Sequence, residues 1–422
     1  NTGRRVTDGL NRFVRGLGSW SRPRKKCHGR RYREKNPVSD SNFQLMLISR
    51  AAGKRIPKGS AKRDVSEEYL YRAARVKSVS DIYACVLYVR STAQGLNDRS
   101  KARPVWGFDE AETLLGATVM YPILNALRDK EGFSAWGGDV AVDTAITKLL
   151  KAAQGRPIIS MDFSHFDASL NSQLLKIADT IRSGWYVGEA ASTVQLLGEI
   201  TARVPIVMPW DVWLTRNGGM PSGTVSTNQV DTILNLWVAY YVAYRNHSTL
   251  VKFEVQGDDS VYLFDPPINA EDVSDTVQEV GLESNPSKMH VSTNSVHFLQ
   301  RLHSLDYIVD GECKGVHSPF RTLNGFMSLE RFRQGWSKWM YSARAIMQCE
   351  NVRWDPRFTD FVRFLKNGDD VIKSGVDPSE IFRRAGGAPM VRKVLDIASF
   401  PFNVQRPERV NYFKTTEVLR SL

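Results

Sequence analysis

The sequence predicts an α+β fold in which helices back one face of a small sheet. Three observations carry this. Between residues 155 and 300 the expected elements run strand, helix, helix, hairpin, helix, strand, the order of a small sheet covered on one side. Within that stretch, Gly257-Asp258-Asp259 separates two runs of strand-formers, Val251, Phe253 and Val255 before it and Val261, Tyr262, Leu263 and Phe264 after. That pattern reads as a β-hairpin with acids at its tip. Finally, 422 residues with 42% hydrophobic and 24% charged content suffice for several packed subdomains.

Charge is placed unevenly along the chain. Residues 1–63 hold 18 Lys/Arg and 3 Asp/Glu, a net of +15 against +12 for the whole chain. The excess concentrates around Arg24, Lys25, Lys26, Arg30 and Arg31, a run that suits phosphate backbones. A solvated arm or a targeting signal is the competing reading. Nucleic-acid contact is preferred because later motifs also point to phosphates. The chain opens on Asn1 and shows no signal peptide, so a further N-terminal part is expected. No apolar run reaches the roughly 18 residues of a membrane span. Cys27, Cys85, Cys313 and Cys349 are scattered without a CxxC pair, which argues against a zinc module and a disulfide scaffold.

The remaining elements follow in order. Residues 67–76 are charged and helix-prone, and 82–89 are apolar with β-branched and aromatic members. A basic cluster, Arg99, Lys101 and Arg103, runs into a strand, with Pro104 holding Arg103 extended. Val142, Ala145, Ile146, Leu149 and Leu150 fall at helical spacing over 141–153, and Gly155 stops that helix. Residues 157–162 form a short buried strand. Helices are expected over 168–182, over 223–245 after a Gly/Pro-rich loop, and over 271–280, where Gly281 ends the last. Residues 287–300 read as a strand pair. Basic and aromatic helical segments fill 329–422, with Trp336, Trp339, Met340, Phe361 and Phe364 among them. No repeat or low-complexity tract interrupts this order.

Five stretches carry chemistry. The paired charges of Asp258 and Asp259 repel unless neutralised, although in isolation they read as an Asp-rich turn. Asp162 ends the buried strand and Asp167 lies five residues on. Acids from separate strands are what a pair of Mg2+ ions about 3.5–4 Å apart requires. His165 suits a structural role better, since Mg2+ prefers oxygen. In the loop before the long helix, Ser222 and Gly223 allow close backbone approach, and small hydroxyls can reach a ribose. Thr227, Asp231 and Asn235 then share one helical face, which alone reads as a polar flank. Arg99, Lys101 and Arg103 alternate along a strand, so all three face one side and can clamp a triphosphate. Lys288 follows a turn after a helix. It is a surface lysine or a general acid for a leaving pyrophosphate.

Together and in this order, the elements resemble motifs F, A, B, C and D of viral RNA-dependent RNA polymerases over roughly residues 95–305. Within that family the chain is most similar to the polymerases of picobirnaviruses and partitiviruses, which have segmented double-stranded RNA genomes. The pointers are Gly257-Asp258-Asp259-Ser260 and Asp231, where many positive-strand RNA virus enzymes have Asn. Phe298-Leu299-Gln300-Arg301 looks like the start of motif E.

The resemblance implies a closed right-hand polymerase of fingers, palm and thumb, the palm a small antiparallel sheet backed by helices. Residues 1–63 would bridge fingers and thumb, 64–156 form fingers with motif F, and 157–182 the palm with motif A. Residues 183–214 would be a fingers insertion, 215–305 palm with motifs B to E, and 306–422 thumb. It implies that Asp162, Asp258 and Asp259 hold two Mg2+ ions, with Mn2+ able to replace them, and that Lys288 is catalytic. Arg99, Lys101 and Arg103 would bind the triphosphate. Asp167, Ser222, Gly223, Thr227 and Asp231 would recognise the ribose, and Arg24, Lys25, Lys26, Arg30 and Arg31 would bind RNA. Asp231 changes the hydrogen bonding at the sugar, because a carboxylate accepts and donates only when protonated. The implied partners are RNA template and product, NTPs and a viral capsid protein. A monomer without a membrane span is implied, in the viral particle interior or the host cytoplasm. A reverse transcriptase or another palm polymerase is the main alternative. Asp167, where enzymes choosing deoxynucleotides commonly place an aromatic gate, argues against it. A non-catalytic RNA-binding protein with a vestigial palm is disfavoured by intact Asp162, Asp258 and Asp259.

Overall fold

The computed structural model describes residues 67–92, 101–209, 211–327, 336–387, 390–391 and 407–422. They belong to two compact units. The first draws on the described residues within 67–88, 104–137 and 151–293, the second on those within 89–103, 138–150 and 294–422.

In the first unit the strand-formers around Gly257 pair as expected. Thr249–Gln256 and Asp259–Asp265 form a hairpin inside a four-stranded antiparallel sheet. Its strand order is His290–Ser292, Ile158–Ser160, Asp259–Asp265, Thr249–Gln256. Val255, Val261, Tyr262 and Leu263 are all fully buried. Each such side chain is worth about 1.5–3 kcal/mol relative to exposure, so the hairpin is firmly anchored below its tip. The central helix Thr227–Arg245 packs on the sheet and is apolar almost all round, with Ile233, Leu234, Trp237 and Tyr241 buried. A helix of that character belongs inside a core. The helices Glu110–Leu127, Ser172–Ser183 and Glu189–Arg203 complete that core.

Two expectations are corrected. The helix expected over 168–182 is two helices, Phe166–Ser169 and Ser172–Ser183. Asn171 separates them, because its side chain accepts from the backbone N–H groups of Gln173 and Leu174 and starts a new helix. The strands expected to pair with each other over 287–300 instead part company. His290–Ser292 joins Ile158–Ser160, while Ser295–Phe298 pairs with Arg301–Ser304. That second pairing closes on a two-residue turn in which Leu299 and Gln300 both have positive φ, the backbone that fits the twist of a tight hairpin.

The second unit holds a small sheet, ordered Ser295–Phe298, Arg301–Ser304, Val316–His317, and a helical core. Ile346, Met347, Val352, Val362 and Ile381 fill the core, from the helices Lys338–Glu350, Phe358–Gly368 and Pro378–Arg384 and the turn between the first two. Glu350 accepts from the Thr415 backbone N–H at 2.9 Å and ties the helix Lys414–Ser421 to that core. Among the described residues no helix is long and apolar enough to cross a membrane.

Candidate active site

A two-residue loop, Gly257-Asp258, closes the hairpin across the Gln256–Asp259 pair. Gly257 has φ +62°, a left-handed conformation that glycine adopts without strain. The central helix holds this turn by a polar stripe on its otherwise apolar surface. The Gly257 N–H donates to Thr232 Oγ1 at 2.8 Å, and the Asn235 amide donates to the Gly257 carbonyl at 2.8 Å. Asn228 accepts from the Gln256 amide at 2.9 Å and from the Trp136 indole at 3.0 Å. Both backbone groups of Gly257 are therefore satisfied by side chains, and Asp258 is presented exposed at the tip.

The strand Ile158–Ser160 runs antiparallel beside Asp259–Asp265, with Ser160 opposite Val261. The Met161 N–H extends the ladder by donating to the Ser260 carbonyl at 2.9 Å. Asp162 is the next residue, so the register brings it alongside Asp259. Among the described residues no lysine or arginine forms an ion pair with Asp162 or Asp258.

Asp167, Asp231 and Ser222 form a second cluster. Ser222 Oγ donates to Asp167 Oδ2. Asp231, on the central helix, is 4% exposed. Burial pushes its carboxyl well above the usual carboxylate range, and the charges of Asp167 and Asp258 and a hydrogen bond with Asp167 push the same way. Two carboxyls in contact share a proton more readily than they both ionise, which biases buried Asp231 toward its neutral form. The field of Asp258 reaches the same group, which links this cluster to the acidic tip.

The loop between these clusters is heavily tied. The Met220 N–H donates to the Asp167 carbonyl at 2.7 Å, and the Gly219 N–H to the Leu170 carbonyl at 2.6 Å. Arg216 donates to the carbonyls of Gly218 and Gly219, both at 2.9 Å, and to that of Thr201 at 3.1 Å. Gly223 has φ +142°, and a Cβ there would lie 2.0 Å from the Trp106 carbonyl oxygen, so the position demands glycine on both counts. Thr227 Oγ1 donates to the Thr224 carbonyl at 3.1 Å and accepts from the Gly223 N–H at 3.4 Å.

The donor set fits a hard divalent cation: carboxylate oxygens, from two neighbouring strands, with no cation among the described residues paired to Asp162 or Asp258. Among the described residues no group of three or more His, Cys, Asp and Glu gathers closely enough to hold an ion by itself. Mg2+ is commonly held by one or two carboxylates together with substrate phosphates and water, which is the arrangement these residues allow.

The other expected residues lie apart. Lys288 is exposed on the turn Pro286–Lys288 and makes no ion pair among the described residues. Lys101 and Arg103 begin the strand Lys101–Gly107, whose backbone alone is described there. Arg99, Arg24, Lys25, Lys26, Arg30 and Arg31 lie outside the described residues. Asn228 and Thr232 were not expected at the site. Their signal is the spacing of Asn228, Thr232 and Asn235, a polar stripe at helical period in an apolar segment.

A family model described as viral RNA-dependent RNA polymerase matches residues 36–316. A potential RNA-dependent RNA polymerase of human picobirnavirus (strain Human/Thailand/Hy005102/-) is 31% identical over 274 residues, 64% of this chain and 51% of that protein. The chain thus spans about half the length of that relative. An RNA-directed RNA polymerase of Cryptosporidium parvum virus 1 (strain KSU-1) is 26% identical over 148 residues, 33% of this chain and 28% of the other. Among solved structures, the RNA-dependent RNA polymerase of a human picobirnavirus is similar with a TM-score of 0.73 at 24% identity, covering 90% of this chain and 82% of that one. The Sicinivirus 3Dpol polymerase is similar with a TM-score of 0.59 at 16% identity, covering 77% and 71%. These likenesses are of fold, the α+β fold anticipated from the order of elements.

Proposed function

The chain belongs to the viral RNA-dependent RNA polymerase family, and from that premise we propose that it copies RNA, joining ribonucleoside triphosphates to a growing strand with release of pyrophosphate. The observation that carries this reading is the register that sets Asp162 beside the acidic hairpin tip, a tip held by the same central helix whose preceding loop brings Ser222 to Asp167. Reacting phosphates and a ribose need those two kinds of group side by side.

Asp162 and Asp258, supported by Asp259, would hold two Mg2+ ions, with Mn2+ able to replace them. Bound there, the ions would activate the 3′-hydroxyl and neutralise charge on the triphosphate. The chain's own residues do the rest. Arg99, Lys101 and Arg103 neutralise the phosphates, and Lys288 gives a proton to the leaving pyrophosphate. Asp167 accepts from Ser222 and Asp231 and keeps an acceptor site for the substrate 2′-hydroxyl. A deoxynucleotide leaves that acceptor unmatched, which is how a polar site rejects an analogue lacking one hydroxyl. Gly223 and Thr227 hold the loop beneath the sugar.

The hairpin sheet with residues 157–182 and 215–305 is the palm in this reading, 64–156 and 183–214 are fingers, and 306–422 are thumb. The basic run at Arg24, Lys25, Lys26, Arg30 and Arg31 holds RNA backbone. The partners are template, product and NTPs, with a viral capsid protein as a further one, and the protein works as a monomer in the particle interior or the host cytoplasm.

Incorporation of labelled NTPs and dNTPs on a primed RNA template tests this. Ribonucleotide incorporation that depends on divalent metal is expected. A clear preference for dNTPs would instead identify a reverse transcriptase.

A further inference from the structure

We infer that Glu112, acting through Thr224, is the positioning residue that latches the Ser222–Ser226 loop in the conformation from which Ser222 reaches Asp167. This rests on the reading of Asp167 as the ribose-sensing acid.

Glu112 lies in the first turn of the helix Glu110–Leu127 and is 1% exposed. A carboxylate so deeply buried is costly unless hydrogen bonds use it. Thr224 Oγ1 donates to Glu112 Oε1 at 2.6 Å, across 112 residues of sequence. The same hydroxyl accepts from the Ser226 N–H at 3.2 Å, so it joins the carboxylate to the turn that opens the central helix. The helix start favours an anion in that turn, and the buried Arg182 guanidinium lies in the field of the Glu112 charge.

The helix is a fixed support for this bond. Asp109 caps it by accepting from the Ala111 N–H at 3.0 Å, and also accepts from the Tyr83 N–H at 3.0 Å and from Arg72 at 3.1 Å. One turn beyond Glu112, Gly116 lets the loop close in: a Cβ there would lie 2.4 Å from Val225 Cγ1. A second tie comes from the strand before the helix, where the Trp106 N–H donates to the Ser222 carbonyl at 2.8 Å. Ser222 is therefore held by its carbonyl on one side and through Thr224 on the other. Its hydroxyl is left directed at Asp167. Gly223, between the two ties, has open backbone freedom, so the ties and not the chain set the loop.

The latch is read first without nucleotide, by hydrogen exchange of peptides covering 218–226 in the full chain. Thr224→Val keeps shape but removes the hydroxyl, and exchange should rise about tenfold. Thr224→Ser and Glu112→Gln keep a donor and an acceptor, and exchange should stay near wild type. The consequence is read on primed RNA as the ratio of kcat/KM for a ribonucleotide to that for its 2′-deoxy counterpart. Thr224→Val should lower that ratio about tenfold, the size of one charge-assisted hydrogen bond, and Thr224→Ser should restore it. Unchanged exchange and an unchanged ratio in Thr224→Val overturn the latch, as does a Thr224→Ser variant impaired as much as Thr224→Val. A wild-type protein whose loop loosens in Thr224→Val but which incorporates no ribonucleotide leaves the latch standing and sinks the polymerase reading.

Discussion

The tip of the acidic hairpin with its backing helix and the surface of the C-terminal helices hold carboxylates in different ways. Beside the C-terminal helices, Asp377 and Glu380 are matched by arginines on the spot. Asp377 accepts from Arg420 at 2.7 Å and from Ser379, and its carboxyl is held below the usual range, chiefly by Arg420. Half-buried Glu380 is held down to about 2 by Arg383 and Arg384. At the hairpin tip and in the core behind it, acids are instead buried or form no ion pair among the described residues, although Asp265 at the far end of the hairpin pairs with Arg156. Asp231 and Glu254 are pushed up by burial, and Asp162 and Asp258 form no ion pair with a described residue. An acid paired at home contributes a little to folding. An acid buried without a cation is costly in the free protein, and an exposed one without a cation is available to a ligand.

That contrast breaks most visibly at the hairpin tip. Asp258→Ala should cut nucleotide incorporation by on the order of a thousandfold or more, several kcal/mol of lost charge stabilisation, while RNA binding stays largely intact. Primer extension beside a filter-binding measurement checks both halves. Retained synthesis would place the metal site elsewhere.

Glu254 sharpens the contrast through pH. It is held inside the hairpin strand, where Ser134 Oγ donates to it at 2.5 Å, and burial raises it from 4.5 to about 7. A raised carboxyl favours the folded state while protonated. Its contribution is whole below its ordinary 4.5 and lost as pH rises through about 7. Glu254→Gln stays neutral throughout, so above that range it should be more stable than wild type by about 3 kcal/mol, and the difference should vanish near pH 4. Denaturant melts between pH 4 and 8 measure it. Asp179, raised to about 6 by burial, keeps a residual slope of the same sign in the variant.

The smallest effect is expected at Asp231. If its carboxyl is the neutral donor to Asp167, Asp231→Asn preserves that donor and should change incorporation by less than about threefold. A hundredfold loss would show that the charged form matters.

Much of this was legible along the chain. The hairpin, the strand ending at Asp162 and the helix after the Ser222 loop each carry a local pattern: strand-formers flanking a glycine, a short apolar run, a helical period. The acids are legible because their order along the chain is itself a pattern. What stayed hidden depends on contacts between distant segments. Glu112 looks like an ordinary acid of a helix start until Thr224 folds onto it. Glu254 looks like a solvent-facing strand residue until Ser134 covers it. The break at Asn171 turned on one side chain that competes with the helix for backbone N–H groups.

The unmatched acids at the hairpin are tested most directly by titrating the full chain with Mn2+ and following free Mn2+ by electron paramagnetic resonance. Wild type should take up Mn2+, and Asp258→Asn should bind at least about tenfold more weakly. Asp377→Asn, which removes an acid already matched by arginine, should bind as wild type does. An Asp258→Asn variant that binds Mn2+ as tightly as wild type would contradict the account.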